Sequence, residues 1–491
     1  MGVTGEMAGS GRQAHILSFE GPDAYARAGG IASRVDGLAA ALAEAGCDTH
    51  LWFIGDPDLP AEERAGAVTL HRWGQWISRY HPAGVYDGEE GKRADYVTAL
   101  PPYLLDRFIR PHLADPTHRV AILAEEWQTA DAVLHLDWLL ANAGLRDRVA
   151  MLWNANNTFG FDRVDWARLA RASTITTVSR YMRQWMWRLG VDPVVIPNGL
   201  PTDAYRRPSA GVVNRFHHAV GQRPLLSKVA RWDADKRWLL AVDTTAELKR
   251  QGRRPLLVAR GGMEAHGGEV LQRMRADGLR VIQRPLLRPG EEGLIDAARD
   301  TDAADVVLLT TPLDRAASQL LFAASTAVLA NSGHEPFGLV GLEAMAAGGV
   351  ACVGGTGEDY VVPGRNALVL QTTEPREFIT EFERWQRHPE EARALRHQAL
   401  TTARWFAWSR IVRRDLLPRL FAAETRGVDD GAATVRAWDL PVASAPVAHG
   451  RQPQADPARA PRKRVRQPGP DGRPPVRTAT VSQAVADVGA G

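Results

Sequence analysis

HILSFEGPDAYARAGGIASRVDGLAAALAEAGCDTHLWFI (residues 15–54) decides the fold. Its two ends, HILSFE (15–20) and THLWFI (49–54), are short β-type runs. Between them Ile31, Val35, Leu38 and Leu42 recur at helical spacing, and Gly46 supplies a stop. The alternation continues through VAILAEE (120–126), VAMLW (149–153), TITTV (174–178) and VVI (194–196). Strands that alternate with helices argue a doubly wound parallel sheet, here over residues 13–199. After IPNG a second series follows: PLLSKVA, PLLVAR, LRVIQ, DVVLLT, TAVLAN, VACVG and NALVL. It predicts a second, similar α/β domain over 200–404. WFAWSRIVRRDLLPRLFAA (405–423) reads as a terminal amphipathic helix. From 424 to 491 the chain is rich in Ala, Pro, Arg and Gly, with a basic run, PRKRVRQPGPDGRPPVR (461–477), the composition of a disordered tail.

Residues 60–119 interrupt the first series with a long segment that mixes aromatics (Trp73, Trp76, Tyr80, Tyr86, Tyr96) with a polar knot (Asp87, Glu89, Glu90, Lys92, Asp95). Long loops inside compact domains are functional or disordered, and this many aromatics argue against disorder. Two readings stand: an acceptor-binding region, or a helical insertion that packs on the first domain.

The whole chain bounds the function. At 491 residues, 45% hydrophobic and 24% charged, it has the make-up of a soluble globular protein of two to three domains. Lys+Arg number 60 and Asp+Glu 57, so no global basic field argues for a nucleic-acid partner. Cys47 and Cys352 lie in apolar contexts and read as buried thiols of a reducing compartment. The start, MGVTGEMAGSGRQ, lacks the apolar core of a signal peptide, and no apolar run is long enough to span a bilayer. The expectation is a cytoplasmic protein. Peripheral membrane contact through the basic run is compatible with the composition but not indicated by it.

Three stretches carry chemistry. In ARAGGIASRVDGL, Gly29 and Gly30 fall between the first strand and the first helix, where backbone can approach a ligand and the helix start favours an anion. In SKVARWDADKRW, Arg231 and Lys236 follow an apolar strand and could clamp a diphosphate, neutralising the charge that builds as it leaves. The same stretch holds Asp233 and Asp235, a D-x-D. Flanked by two cations that would salt-bridge the carboxylates or repel a divalent ion, it is not read as a metal site. In NSGHEPFGLVGLEAMAAGG (331–349), Pro336 suits the opening turn of a helix and Gly348-Gly349 its end. That puts Glu335 on the entering loop and Glu343 inside the helix. Both can accept hydrogen bonds from sugar hydroxyls, while Gly338, Leu339 and Val340 bring backbone N–H groups to a phosphate.

Taken in order, AGGIASRVDGLAAAL, TTVSRYM (176–182), VIPNG (195–199), ARWDADK (230–236) and EPFGLVGLE (335–343) resemble the retaining glycosyltransferases of the GT-B fold, family four, which include bacterial glycogen synthases and mannosyltransferases. The last stretch matches the family's E-x7-E pattern, and TGEDYVVPGRNALVL (356–370) its downstream loop and strand. The resemblance covers about 13 to 423. It implies two Rossmann-like domains facing a cleft, with 405–423 crossing back onto the first. It implies Arg231 and Lys236 at the donor diphosphate, Glu335 at the transferred sugar, Glu343 at the nucleotide ribose, and Gly29-Gly30 on a loop closing over the phosphates. It implies a nucleotide-sugar donor, a sugar, lipid-linked or small-molecule acceptor, no metal or other cofactor, and retention of anomeric configuration.

The sequence departs from the family pattern in one place. LWNANNTFGFDRVDW (152–166) has no histidine where relatives touch the donor sugar, and Asn156 stands there, with Asn157 beside it. Gln128, in EEWQTAD, replaces a second family histidine, and His135 reads as structural. A phosphorylase and a non-catalytic nucleotide-sugar-binding scaffold remain as alternatives; the E-x7-E arrangement argues against an epimerase on the same fold.

Overall fold

The computed structural model describes residues 11–421. The tail expected over 424–491 lies outside the described residues, as do the last two positions of the expected terminal helix.

Two doubly wound sheets are present. The first has the order β3-β4-β2-β1-β5-β6-β7-β8, from β1 (Arg12–Leu17), β2 (Asp48–Ile54), β3 (Glu62–Ala65), β4 (Val68–Trp73), β5 (Arg119–Glu125), β6 (Val149–Ala155), β7 (Thr174–Thr177) and β8 (Val194–Val195). The second has the order β11-β12-β10-β9-β13-β14-β15, from β9 (Leu225–Val229), β10 (Leu256–Arg260), β11 (Val281–Arg284), β12 (Val306–Leu309), β13 (Ala327–Ala330), β14 (Ala351–Val353) and β15 (Leu368–Val369). Every pairing is parallel except β3 with β4. Parallel strands need crossovers, and amphipathic helices such as Gly30–Glu44 and Trp238–Arg250 supply them. The order reverses between β1 and β5 in one sheet and between β9 and β13 in the other. Crevices open at the carboxyl ends of strands at such reversals, so each sheet has one defined place for a ligand.

The segment 60–119 is part strand and part helix, so the helical reading holds for its second part only. Its first part is sheet: β4 runs parallel to β2 in register Trp52↔His71, and β3 folds back on it as an edge. VTLHRW hides this because His71 and Arg72 are polar, yet both are buried, His71 against the His50 ring nitrogen and Arg72 against Asp23. The rest is helical, and Glu89–Leu104 packs on Ala130–Asn142.

The terminal segment also differs from one continuous α-helix. It runs as a short α-turn (Trp408–Ile411), a π-helical turn (Val412–Leu416) and a final α-turn (Leu417–Leu420). Trp408, Ile411, Val412, Leu416, Leu420 and Phe421 lie in the same core cluster as Ile16 and Leu51 of the first sheet and Val35 and Leu38 of the helix Gly30–Glu44. Trp408 fits because two glycines face it: a Cβ at Gly37 or at Gly199 would come within 2.5 or 2.6 Å of its ring. The outgoing and returning chains pair where they pass, Leu200 N–H donating to the Phe406 carbonyl and Trp408 N–H to the Leu200 carbonyl. Among the described residues no helix is long and apolar enough to cross a membrane.

Candidate active site

The loop after β9 and the loop after β13 emerge on either side of the reversal in the second sheet, and they meet. Lys236 ends a 3-10 turn (Ala234–Lys236) on the first, and its Nζ lies 2.6 Å from Oε2 of Glu335 on the second. The Ser332 hydroxyl donates to the same oxygen at 2.9 Å. Both members of the pair are one-fifth exposed, so the charges sit at the mouth of the crevice. Arg231, earlier on the Lys236 loop, is exposed, and its guanidinium has no partner among the described residues.

The helix after Glu335 begins at Leu339, three residues later than Pro336 suggested, and runs to Ala346. Gly338 makes the corner with φ +79°, a region that L side chains avoid. A Cβ there would also meet the Glu358 side chain at 2.7 Å and the Tyr360 hydroxyl at 3.1 Å. No side chain caps this helix, so its first N–H groups, those of Leu339 and Val340 among them, stand without a side-chain acceptor at the positive end of the helix dipole. Glu343 lies one turn in. Its burial pushes its carboxyl up to about 7, with Arg315 opposing.

Glu358 was not singled out from the sequence, although it stands in TGEDYVV. Its side chain is buried against the Gly338 corner; Thr356 N–H donates to one oxygen, and the other has no partner. Burial pushes it up to about 7, and the nearby Glu335 carboxylate pushes the same way. The Tyr360 hydroxyl donates to the Gly338 carbonyl at 2.5 Å and fixes the corner from behind. Three carboxyl groups thus surround the start of one uncapped helix.

The D-x-D is built into the loop itself, by contacts other than those expected. Asp233 accepts the Asp235 N–H at 2.9 Å, and Asp235 accepts the His334 N–H and pairs with its ring. Neither carboxylate is bridged by Arg231 or Lys236. Asp235 instead ties the Lys236 loop to the Glu335 loop.

From the first lobe, Gly30 reaches across: a Cβ on it would stand 3.5 Å from Leu339 Cδ1. The helix start behind it is already occupied by an anion of the chain. Oε2 of Glu20 accepts from Gly29 N–H at 2.9 Å and from Ala32 N–H at 3.1 Å, while Tyr86 donates to Oε1. Gly29 is therefore a structural donor in this arrangement, and Gly30 is the member that faces the second lobe. Glu20 was missed because it ends an apolar strand run, where a carboxylate gives no spacing signal.

Asn156 also has a partner. Its amide donates to Glu125 at 2.8 Å, joining a buried network in which Arg34 pairs with Glu125 at 3.0 Å and donates to Asn198. Asn156 N–H donates to Glu126, whose backbone turns through φ +69° and whose carboxyl burial pushes up to about 8. The Asn156 side-chain oxygen accepts no hydrogen bond among the described residues. Arg180 then bridges the lobes directly, its Nε 2.9 Å from Oδ1 of Asp359.

The chain is similar to known proteins. Residues 28–204 match the family model Glycosyltransferase Family 4, and residues 214–401 match Glycosyl transferases group 1. No curated protein sequence matches the chain. Among solved structures, sucrose-phosphate synthase from Thermosynechococcus elongatus is similar with TM-score 0.57 at 19% identity, over 84% of this chain and 100% of that one. The catalytic domain of starch synthase IV from Arabidopsis thaliana, bound to ADP and acarbose, is similar with TM-score 0.57 at 16% identity, over 82% and 99%. Anabaena Alr3699/HepE in complex with UDP is similar with TM-score 0.53 at 14% identity, over 84% and 99%. At such identities the structural likeness speaks to the fold.

Proposed function

We propose that this chain, a glycosyltransferase of the GT-B type, moves a sugar from a nucleotide-sugar donor with retention of configuration and without a metal. The observation that carries the reading is the meeting of Lys236, Glu335 and the uncapped Leu339–Ala346 helix at one strand-order reversal. In this reading the donor diphosphate lies against the Leu339 and Val340 N–H groups, with Lys236 and Arg231 over its oxygens. Glu335 and Asn156 receive sugar hydroxyls, and Glu343 receives the ribose. As the glycosidic bond to the diphosphate breaks, negative charge grows on the leaving oxygen and positive charge on the anomeric carbon. Lys236 and the helix start would stabilise the first, and Glu335 the second, in a site preorganised before reaction. An acceptor hydroxyl would then attack from the face the diphosphate leaves, passing its proton to that departing anion.

Metal independence is supported by the engagement of Asp233 and Asp235 within the loop. Retention is supported by the E-x7-E pattern. Two of the similar structures hold ADP and UDP, which puts sugars of these nucleotides, with those of GDP, among the donors to test. Glu335 and Lys236 in contact favour turnover over mere binding, since a scaffold has no need of that pairing. A cytoplasmic location is part of the proposal, supported by two buried free thiols. The test is release of nucleoside diphosphate from a panel of UDP-, ADP- and GDP-sugars with sugar acceptors, in the presence of EDTA, with product anomers read by NMR. No release from any donor, or an inverted product, would overturn the reading.

A further inference from the structure

Outside this site, the returning chain carries a concavity of about 650 Å³ lined by Thr401, Arg404, Trp405, Ser409, Arg410 and Arg413. Residues 401–414 contain four arginines and no Asp or Glu. Arg414 pairs with Asp415, but Arg404, Arg410 and Arg413 are exposed and have no acidic partner among the described residues. The chain as a whole is nearly charge-balanced, so three unneutralised guanidiniums in one hollow depart from its pattern. Their spacing has a cost: Arg410 stands three and four residues before Arg413 and Arg414, where like charges in a helix repel. The π-helical turn at Val412–Leu416 carries Arg413, and such turns occur often at functional sites. The Arg410 guanidinium stands over Trp405, 4.1 Å from the ring centroid, a contact that restrains it.

We propose that this hollow binds a phosphoryl group, with Arg404, Arg410 and Arg413 as its donors and Ser409 as a hydroxyl partner. Guanidinium groups fit phosphate oxygens bidentately, and three of them match the charge of a phosphomonoester or a pyrophosphate. The site is separate from the donor crevice and does not rest on the function proposed for it.

The probe is pyrophosphate, titrated by calorimetry into Lys236→Ala protein so that the donor crevice is weakened. Saturable binding is expected, lost at least about tenfold in Arg404→Gln/Arg413→Gln, since charged hydrogen bonds of this kind are the strong ones. Both residues are exposed and have no side-chain partner among the described residues, so the double variant is expected to retain the fold, checked by its melting temperature without phosphate. Arg410→Lys, which keeps charge but loses the planar fork, is expected to weaken binding as well. Flotation with phosphatidylcholine vesicles, with and without phosphatidic acid, separates sources. Arginine-dependent binding only to the phosphatidic acid vesicles assigns the phosphoryl group to a lipid. Binding of neither probe, or binding indifferent to the three arginines, overturns the proposal.

Discussion

Lys236 and Glu335 lie 2.6 Å apart although ninety-nine residues separate them in the chain. The contact exists because β9 and β13 are neighbours at the point where strand order reverses. Each group is thereby aimed at the same small volume above the sheet.

Lys236→Ala or Glu335→Ala is expected to lower kcat/KM by about 10²–10³-fold, or ~2.7–4 kcal/mol of barrier, as for other preorganised donors. The double variant should be little worse than either single one, because groups that act as a unit are not additive. Steady-state kinetics on folded protein checks this. Near-normal turnover in either single variant would remove the assignment.

Glu358 gives a pH signature. Its folded carboxyl is raised to about 7 from 4.5, so the folded state holds its proton more tightly than the unfolded chain. Its favourable contribution is present below pH 4.5 and is lost as pH rises to about 7. Glu358→Gln should therefore raise stability by about 1–3 kcal/mol at pH 8 and by little at pH 4. Paired urea melts at the two pH values measure it.

His71 acts with the opposite sign. Burial, and then the neighbouring His50, lower it to about 3 from 6.5. Its ring stacks on Trp52 at 3.7 Å and meets His50 nitrogen to nitrogen at 2.9 Å, an arrangement that suits neutral rings. The unfolded chain takes up the proton first, so stability falls as pH drops from 6.5 towards 3, by at most ~1.4 kcal/mol per pH unit. His71→Phe keeps the stack and should flatten that dependence, read as the change in urea midpoint between pH 7 and pH 4.

Trp408 is the keystone of the returning segment. Trp408→Ala should cost about 3–5 kcal/mol, because the two facing glycines cannot fill the space. Gly37→Ala should cost about 1–3 kcal/mol by forcing a methyl into the ring. Chemical denaturation of both variants tests the fit.

The strands and the two-sheet plan were legible because parallel, doubly covered strands read as apolar runs, and all thirteen expected runs became strands. β3 and β4 were not, because β4 buries a histidine and an arginine whose partners, His50 and Asp23, only the tertiary structure brings up. At the site, Lys236, Glu335 and Glu343 were legible from a strand-to-loop position and a fixed spacing. Glu20, Glu125 and Glu358 were not, since each carboxylate is held by backbone N–H groups or by partners far along the chain. The occupancy of Gly29 by Glu20 could not be read for the same reason. The conformation of the terminal segment escaped too: a π-helical turn leaves the apolar periodicity nearly unchanged.

The first lobe is discontinuous along the chain. Its core needs Trp408 through Phe421, and the Arg12 guanidinium near its beginning lies over the Phe421 ring near the end of the described chain. During synthesis, then, the amino-terminal sheet must wait with an open apolar groove while the entire second lobe emerges. A fragment stopped at residue 199 would keep that groove exposed and aggregate, whereas supplying 405–421 as a separate peptide should restore its solubility.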